Sequence, residues 1–246
     1  MKAVILAGGK GTRLGENTRH TNKHLLPVYS KPMIYYPIEM LVASGVTDIL
    51  IILGGNSVGP MVETLGDGAQ FGADITYRFQ YKPNGICGAL KLARKFVGDE
   101  RFVVVLGDNL FENPKDTLDK MLSMSIDDLP TAIMCTSPTD KPSSFGVPTF
   151  DKLGNISKIT EKPKDPESNF AITGLYLYDK YVWSVIDTLK PSARDEFEIT
   201  DLNNKYIDNG VLKHISTIGW WHDCGDIDAL FECGKLVEAR ENASRK

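Results

Sequence analysis

The sequence predicts an α/β fold, a Rossmann-like layered α/β/α sandwich built on a mostly parallel mixed sheet. Three observations point there: short apolar runs without polar interruption, helix-period stretches between them, and a glycine-rich loop directly after the first run. The runs fall at 3–7, 49–53, 102–106, 132–135 and 172–178. Apolar runs that do not alternate with polar residues suit strands covered on both faces.

Between the first two runs lies 33–44, where Ile34, Ile38, Leu41 and Val42 recur at helical spacing and Gly45 follows as a helix stop. That makes a βαβ unit. Further helices are expected at 116–124, 181–189, 199–209 (with Gly210 as its stop) and 228–242, and loops at 138–148 and 161–166. No repeat, low-complexity stretch or Pro/Gly/Ser-rich linker divides the chain, so its 246 residues are read as a single domain.

Composition narrows the function classes. With 42% hydrophobic and 24% charged residues the chain is an ordinary globular one. A net charge of -4 argues against nucleic acid or an anionic membrane as partner, since both reward a basic surface. The four cysteines, Cys87, Cys135, Cys224 and Cys233, form no CxxC pair and are read as reduced thiols. The apolar start at 3–6 stops at the glycines, too short for a signal peptide, so a cytoplasmic location is expected.

Gly8-Gly9-Lys10-Gly11-Thr12-Arg13-Leu14 follows the first strand, where open α/β sheets place ligands. Glycines let backbone N–H groups approach a polyphosphate, and Lys10 and Arg13 add charge and forked hydrogen bonding. Walker A requires Gly-Lys followed by Ser or Thr, whereas Lys10 precedes Gly11; the dinucleotide fingerprint needs glycine where Leu14 stands. Asp108 closes the run at 102–106 after Gly107, and Asp223 stands far away in Trp221-His222-Asp223. Each aspartate taken alone reads as a turn or cap residue. Trp220 and Trp221, as strand neighbours, face opposite sides, one toward the core and the other toward the surface or an interface.

Leu6-Ala7-Gly8-Gly9 through Arg13, followed by Lys23-His24-Leu25-Leu26-Pro27, resembles the signature of the sugar-1-phosphate nucleotidyltransferases. Similarity extends through Lys31-Pro32-Met33, Leu65-Gly66-Asp67-Gly68, Leu106-Gly107-Asp108-Asn109, Phe145-Gly146-Val147, Glu161-Lys162-Pro163, Thr173-Gly174-Leu175-Tyr176 and Glu198-Ile199-Thr200-Asp201. Within the family it is strongest to the short branch that joins dTTP to glucose 1-phosphate.

That resemblance implies an enzyme releasing dTDP-glucose and pyrophosphate by Mg²⁺-dependent in-line attack on the α-phosphate. Leu6, Gly8, Gly9, Lys10, Gly11, Thr12, Arg13, Gln80, Gly85 and Asp108 would bind the nucleotide. Asn109, Gly146, Glu161, Lys162, Thr173, Gly174 and Arg194 would bind the sugar phosphate. Asp108 and Asp223 would hold the metal, and Arg13, Lys23, Asp108, Lys162 and Asp223 would form the catalytic set. No general base is needed, so His24 and His222 are left without that role. A nucleotide part at about 1–110, a sugar-phosphate part at about 111–246 and a homo-oligomer follow from the same source. The chain stops soon after the 228–242 helix, as in short members, so carboxy-terminal feedback is not expected.

Departures from the family pattern bear on selectivity. Gly88 stands where Gln is usual, Pro148 and Thr149 follow Val147 where other residues are common, and Asp195 stands where Gly is usual. UTP, CTP or another sugar 1-phosphate are the alternatives within the enzyme reading. A non-catalytic nucleotide-sugar-binding module would be expected to lack Arg13, Lys23, Asp108 or Asp223, and all four are present.

Overall fold

Ala3, Val4, Ile5 and Ala7 are all fully buried, and with their neighbours they form β1 (Lys2–Ala7) inside a sheet. In this computed structural model the described residues are 1–55, 58–124 and 131–244. After β1 come the short strands β2 (Pro27–Val28) and β3 (Lys31–Pro32), then α1 (Tyr35–Ala43), β4 (Asp48–Gly54), α2 (Val58–Leu65), β5 (Asp74–Gln80), α3 (Ile86–Leu90), α4 (Arg94–Val97) and β6 (Phe102–Leu106). The second half contributes β7 (Asn109–Phe111), α5 (Pro114–Ser123), β8 (Ala132–Pro138), β9 (Gly146–Phe150), β10 (Ile156–Glu161) and β11 (Phe170–Tyr178). It ends with α6 (Tyr181–Thr188), α7 (Ile199–Asp208), β12 (Leu212–Ser216), β13 (Trp221–Asp223) and α8 (Ile227–Ser244).

Seven strands form the main sheet in the order β12-β8-β11-β6-β1-β4-β5. Only β11 runs antiparallel to its neighbours, so the sheet is mixed and mostly parallel. Period-2 alternation sends Ala3 and Ile5 to one face with α1, α2 and α5, and Val4 and Leu6 to the other with α3, α4, α6 and α7. This is the layered sandwich expected from the uninterrupted apolar runs. A third cluster, with Val28, Met33, Leu110, Cys224, Cys233 and Val237, seats α8 against β2 and β13. All four cysteines are free and buried.

The chain steps from β1 outward to β4 and β5, then returns to place β6 on the other side of β1. Strand order therefore reverses between β1 and β6, and at such a point the carboxyl ends of neighbouring strands leave a crevice. Gly107 N–H donates to the carbonyl of Leu6 at 3.0 Å, which brings the loops after both strands side by side.

Several elements escaped the periodicity reading. β5 is an edge strand on which Ile75 alone is buried, and β12 is the opposite edge, with Ile215 alone buried. One-sided burial leaves little apolar signal in the sequence. The hairpin β9–β10 takes the end of the loop expected at 138–148 into a separate two-stranded sheet, with Pro148 accommodated outside the main ladder.

Because Ile5 packs at 0% exposure in the central strand, Ile5→Ala leaves a cavity there. The expected loss is about 2–5 kcal/mol of stability, read as a lower urea midpoint.

Candidate active site

The loop after β1 is shaped by close backbone approach. A Cβ on Gly54, at the end of β4, would lie 2.7 Å from the carbonyl oxygen of Gly8, so the two strand ends pack main chain on main chain. Gly11 has φ +65°, a left-handed conformation suited to glycine, and its carbonyl accepts from Thr18 Oγ1 at 2.9 Å. Any side chain there would press on Thr18 and Lys23. The loop thus folds back over the start of the next segment and brings Lys23 beneath it.

Asn22 fixes that segment. Its Nδ2 donates to the carbonyl of Ala7 at 3.2 Å, and its Oδ1 accepts from the backbone N–H of His24 at 2.9 Å. The His24 ring packs where a Cβ on Gly107 would stand, 2.7 Å from that position. Burial, and then the neighbouring Lys23 charge, push the His24 imidazole down to about 3, so it is neutral at physiological pH. Lys23 Nζ pairs directly with Asp108 Oδ2.

Asp108 and Asp223 meet here although they lie in distant parts of the chain. β13 pairs antiparallel with β7, setting Asp223 opposite Asn109, and Cys224 N–H donates to the Asp108 carbonyl at 2.9 Å. Asn109, only 2% exposed, is the hub. Its Nδ2 donates to Asp108 Oδ1 at 3.0 Å and Asp223 Oδ2 at 3.4 Å, while its Oδ1 accepts at 2.7 Å from both Trp221 Nε1 and Gly174 N. Gly174 must lack a side chain because a Cβ would lie 2.6 Å from that oxygen.

The two acids differ electrostatically. Burial raises the Asp108 carboxyl, but the Lys23 charge, with hydrogen bonds from Lys23 and Asn109, outweighs it and holds the group below the usual carboxylate range. Asp223 is pushed up to about 7 by burial and then by the negative charge of Asp108, against the pull of Lys23 and Arg13. A second cation would relieve this repulsion. Arg13 stands nearby because Gly225 has no Cβ; one would lie 2.5 Å from Arg13 Nη2.

Across the cleft, Glu161 ends β10 opposite Gly146 in register, and Thr200 Oγ1 donates to Glu161 Oε2 at 2.6 Å. Lys162 follows at φ +44°, with its N–H on the Phe145 carbonyl at 2.9 Å and its Nζ 3.8 Å from Glu161. A left-handed lysine is a local strain of the kind that collects at functional sites. Arg194 forks onto Glu198 at 2.9 and 3.0 Å, and Asp195 takes φ +58°, which accounts for a glycine preference there.

The third side is the end of β5. Gln80 Nε2 donates to Asn84 Oδ1 at 2.9 Å and to the Gly85 carbonyl at 3.3 Å. Gly85 has φ +90°, and a Cβ there would lie 2.6 Å from the Phe197 carbonyl oxygen. A cleft of about 340 Å³ joins these parts. Of the residues singled out in the sequence, Leu6, Gly8, Gly9, Lys23, Gln80, Gly85, Asp108, Glu161, Lys162 and Arg194 line it. Lys10, Thr12 and Arg13 are exposed in the loop beyond, around the half-buried Gly11. Asn109, Thr173 and Gly174 lie behind the wall; Thr173 is fully buried, with its hydroxyl on the Cys135 carbonyl at 3.0 Å.

Sequence reasoning overlooked Asn22, Asn84 and the organising roles of Asn109 and Trp221. Trp221 is in the core, whereas Trp220 precedes β13 and packs half-buried against the third cluster beside α8 rather than facing outward as a strand neighbour. Nothing in composition marks Asn22 or Asn84: the Asn22 amide joins His24 to the Ala7 backbone, and the Asn84 amide meets Gln80 through the turn between them. Among the described residues no helix is long and apolar enough to cross a membrane.

A family model described as nucleotidyl transferase matches residues 2–240. The chain belongs to the nucleotidyl transferase family. Glucose-1-phosphate thymidylyltransferases of Neisseria meningitidis and Xanthomonas campestris are 39% and 42% identical to it, over 98% and 96% of this chain and 84% and 80% of theirs. A candidate glucose-1-phosphate thymidylyltransferase from Bacillus anthracis, solved with sucrose, superposes with TM-score 0.89 at 45% identity, covering 96% of this chain and 94% of that one. A UDP-glucose pyrophosphorylase bound to UDP-glucose shares the fold, with TM-score 0.82 at 22% identity over 97% and 98% of the two chains.

In this nucleotidyl transferase the Asn109 amide donates to both central acids, so it cannot be replaced by a third carboxylate without cost. Asn109→Asp is expected to lose most catalytic activity and about 3–5 kcal/mol of stability, the penalty of an uncompensated buried charge. Urea denaturation and pyrophosphate release on the same samples measure both.

Proposed function

We propose that this chain condenses dTTP with α-D-glucose 1-phosphate to give dTDP-glucose and pyrophosphate. The single observation that carries the reading is the meeting of Asp108 and Asp223 at the Asn109 amide, with Asp108 lining one cleft together with Gly8, Gly9, Glu161, Lys162 and Arg194. A nucleotide part at about 1–110 and a sugar-phosphate part at about 111–246 would then each supply one wall. The thymidylyltransferase relatives support this choice of substrates.

The residues suit a Mg²⁺ ion shared with substrate. Two carboxylates converge, one raised by burial and then by repulsion from the other, and no group of three or more His, Cys, Asp or Glu forms a complete cage among the described residues. Mg²⁺ commonly takes one or two carboxylates and completes its octahedron with water and phosphate oxygens. Asp108 and Asp223 would hold it; when bound it neutralises charge on the α-phosphate during displacement.

In the reaction a phosphate oxygen of the sugar 1-phosphate attacks the α-phosphorus. A new P–O bond forms there, the bond to the β-phosphate bridging oxygen breaks, and that electron pair leaves with pyrophosphate. Backbone N–H groups at Gly8, Gly9 and Gly11, with Thr12, Lys10 and Arg13, would grip the β- and γ-phosphates, and Leu6 would border the nucleoside. Lys23, already aimed at Asp108, would meet the α-phosphate. Glu161, held by Thr200, would accept from sugar hydroxyls, and Lys162 and Arg194 would bind the sugar phosphate. Asn109, Gly146, Thr173 and Gly174 would back the hexose side, while Gln80 and Gly85 would face the base. A sugar phosphate is largely ionised at neutral pH, so no base is required, consistent with the buried, neutral His24. The same reading places the enzyme in the cytoplasm as a homo-oligomer.

Pyrophosphate release over a grid of dTTP, UTP, CTP and ATP against several sugar 1-phosphates tests the assignment. The highest kcat/KM is expected for dTTP with glucose 1-phosphate and full loss with EDTA, reversed by Mg²⁺; no turnover with any pair would refute it. Lys162→Ala is expected to raise the KM for the sugar phosphate about 10- to 100-fold, the worth of one charge-assisted hydrogen bond, with a smaller change for the nucleotide. The reverse ranking would move Lys162 to the nucleotide side.

A further inference from the structure

A glutamine amide can both donate and accept, but the Gln80 donors are already spent. Both hydrogen bonds from Nε2 go inward, to Asn84 Oδ1 at 2.9 Å and to the Gly85 carbonyl at 3.3 Å. A backbone carbonyl only accepts, so the Gly85 contact sets which end of the Gln80 amide points inward. Gln80 Oε1 is left facing Gly8, 3.3 Å from where a Cβ on that glycine would stand, and both residues line the cleft. No donor to Oε1 is found among the described residues.

Asn84 reaches Gln80 because Gly88 is a glycine. A Cβ on Gly88 would lie 2.0 Å from Asn84 Oδ1 and 2.5 Å from its Cγ, a space no side chain at position 88 could share with Asn84. The main chain of Asn84 is anchored as well. Its N–H donates to the Lys82 carbonyl at 2.9 Å, and its carbonyl accepts from Phe197 N at 2.9 Å. The amide therefore sits in a socket made by an absent side chain, and it is held from both ends.

We infer that Asn84, seated in the space left by Gly88, is a positioning residue that presents Gln80 to the base as an acceptor only. The inference rests on the reading of Gln80 as a base contact. An acceptor there matches a base whose ring carries an N–H at that edge, as the imide of thymine or uracil does. Cytosine offers an unprotonated ring nitrogen in the same place, which sets two acceptors against each other. The socket thus selects imide pyrimidines over cytosine. An unpaired polar group facing its like in a desolvated site is the kind of penalty that discriminates strongly.

The test compares kcat/KM for dTTP and CTP, with glucose 1-phosphate saturating, in the natural enzyme and four variants. Asn84→Ala frees the Gln80 amide to turn, so the dTTP:CTP ratio is expected to fall about tenfold, chiefly through KM, with kcat for dTTP within about twofold. Gly88→Ala, which evicts Asn84 sterically, should reproduce that fall. Asn84→Asp keeps an acceptor for Gln80 Nε2 and should keep the ratio, a rescue that mere loop packing does not predict. If Asn84→Ala and Gly88→Ala leave the ratio unchanged while Gln80→Ala still raises the dTTP KM, the role of Asn84 is overturned and the base contact stands. If Gln80→Ala leaves the dTTP KM unchanged, the base lies elsewhere and both fall together.

Discussion

Two carboxylates that repel each other, Asp108 buried and Asp223 half-buried, are held within reach of one amide, and the rest of the site is arranged around that constraint. Asp108 and Asp223 share Asn109 Nδ2, and Lys23 neutralises one of them. The other is left with its carboxyl pushed up to about 7, a charge deficit that a divalent ion and a polyphosphate suit in combination. Breaking such a buried arrangement from one side costs far more than its net contribution to stability. The surrounding glycines and the Trp221 indole accordingly serve to keep the Asn109 amide in one orientation.

The sheet makes that arrangement possible. Reversal of strand order beside β1 places the ends of β1 and β6 next to each other, and the Gly107 to Leu6 hydrogen bond locks their loops together. The short ribbon of β7 and β13 then carries Asp223 to the same edge. The glycine-rich loop and Asp108 thus follow closely on β1 and β6, and Asp223 lies in β13 itself, which limits how far any of them can drift.

The Gln80 and Arg194 ends of the cleft are also joined. Phe197 N donates to the Asn84 carbonyl at 2.9 Å, Cys87 N donates to the Phe197 carbonyl at 3.2 Å, and Gly85 fits closely under the same residue. The segment carrying Arg194 and Glu198 is therefore docked on the one carrying Gln80. Displacement of either segment would be felt by the other, since three close backbone contacts connect them.

Much of this was legible in the residues themselves. Strands buried on both faces announce themselves as continuous apolar runs, and the Gly-rich loop and Asp108 could be placed at strand ends because the hydrophobic pattern stops there. The edge strands β5 and β12 were not legible, because one-sided burial leaves a mostly polar sequence. Asp223 and Asn109 carried meaning only through family resemblance, and Asn22 and Asn84 carried almost none. An amide is informative once its partners are known: Gly174 and Trp221 for Asn109 and Ala7 for Asn22 come from distant parts of the chain, while the space at Gly88 for Asn84 is local but opens only in the folded turn. Periodicity and loop chemistry act over a few neighbouring residues and determined the layers and the place of the glycine-rich loop, whereas convergence of groups more than a hundred positions apart was decided by strand pairing and packing alone.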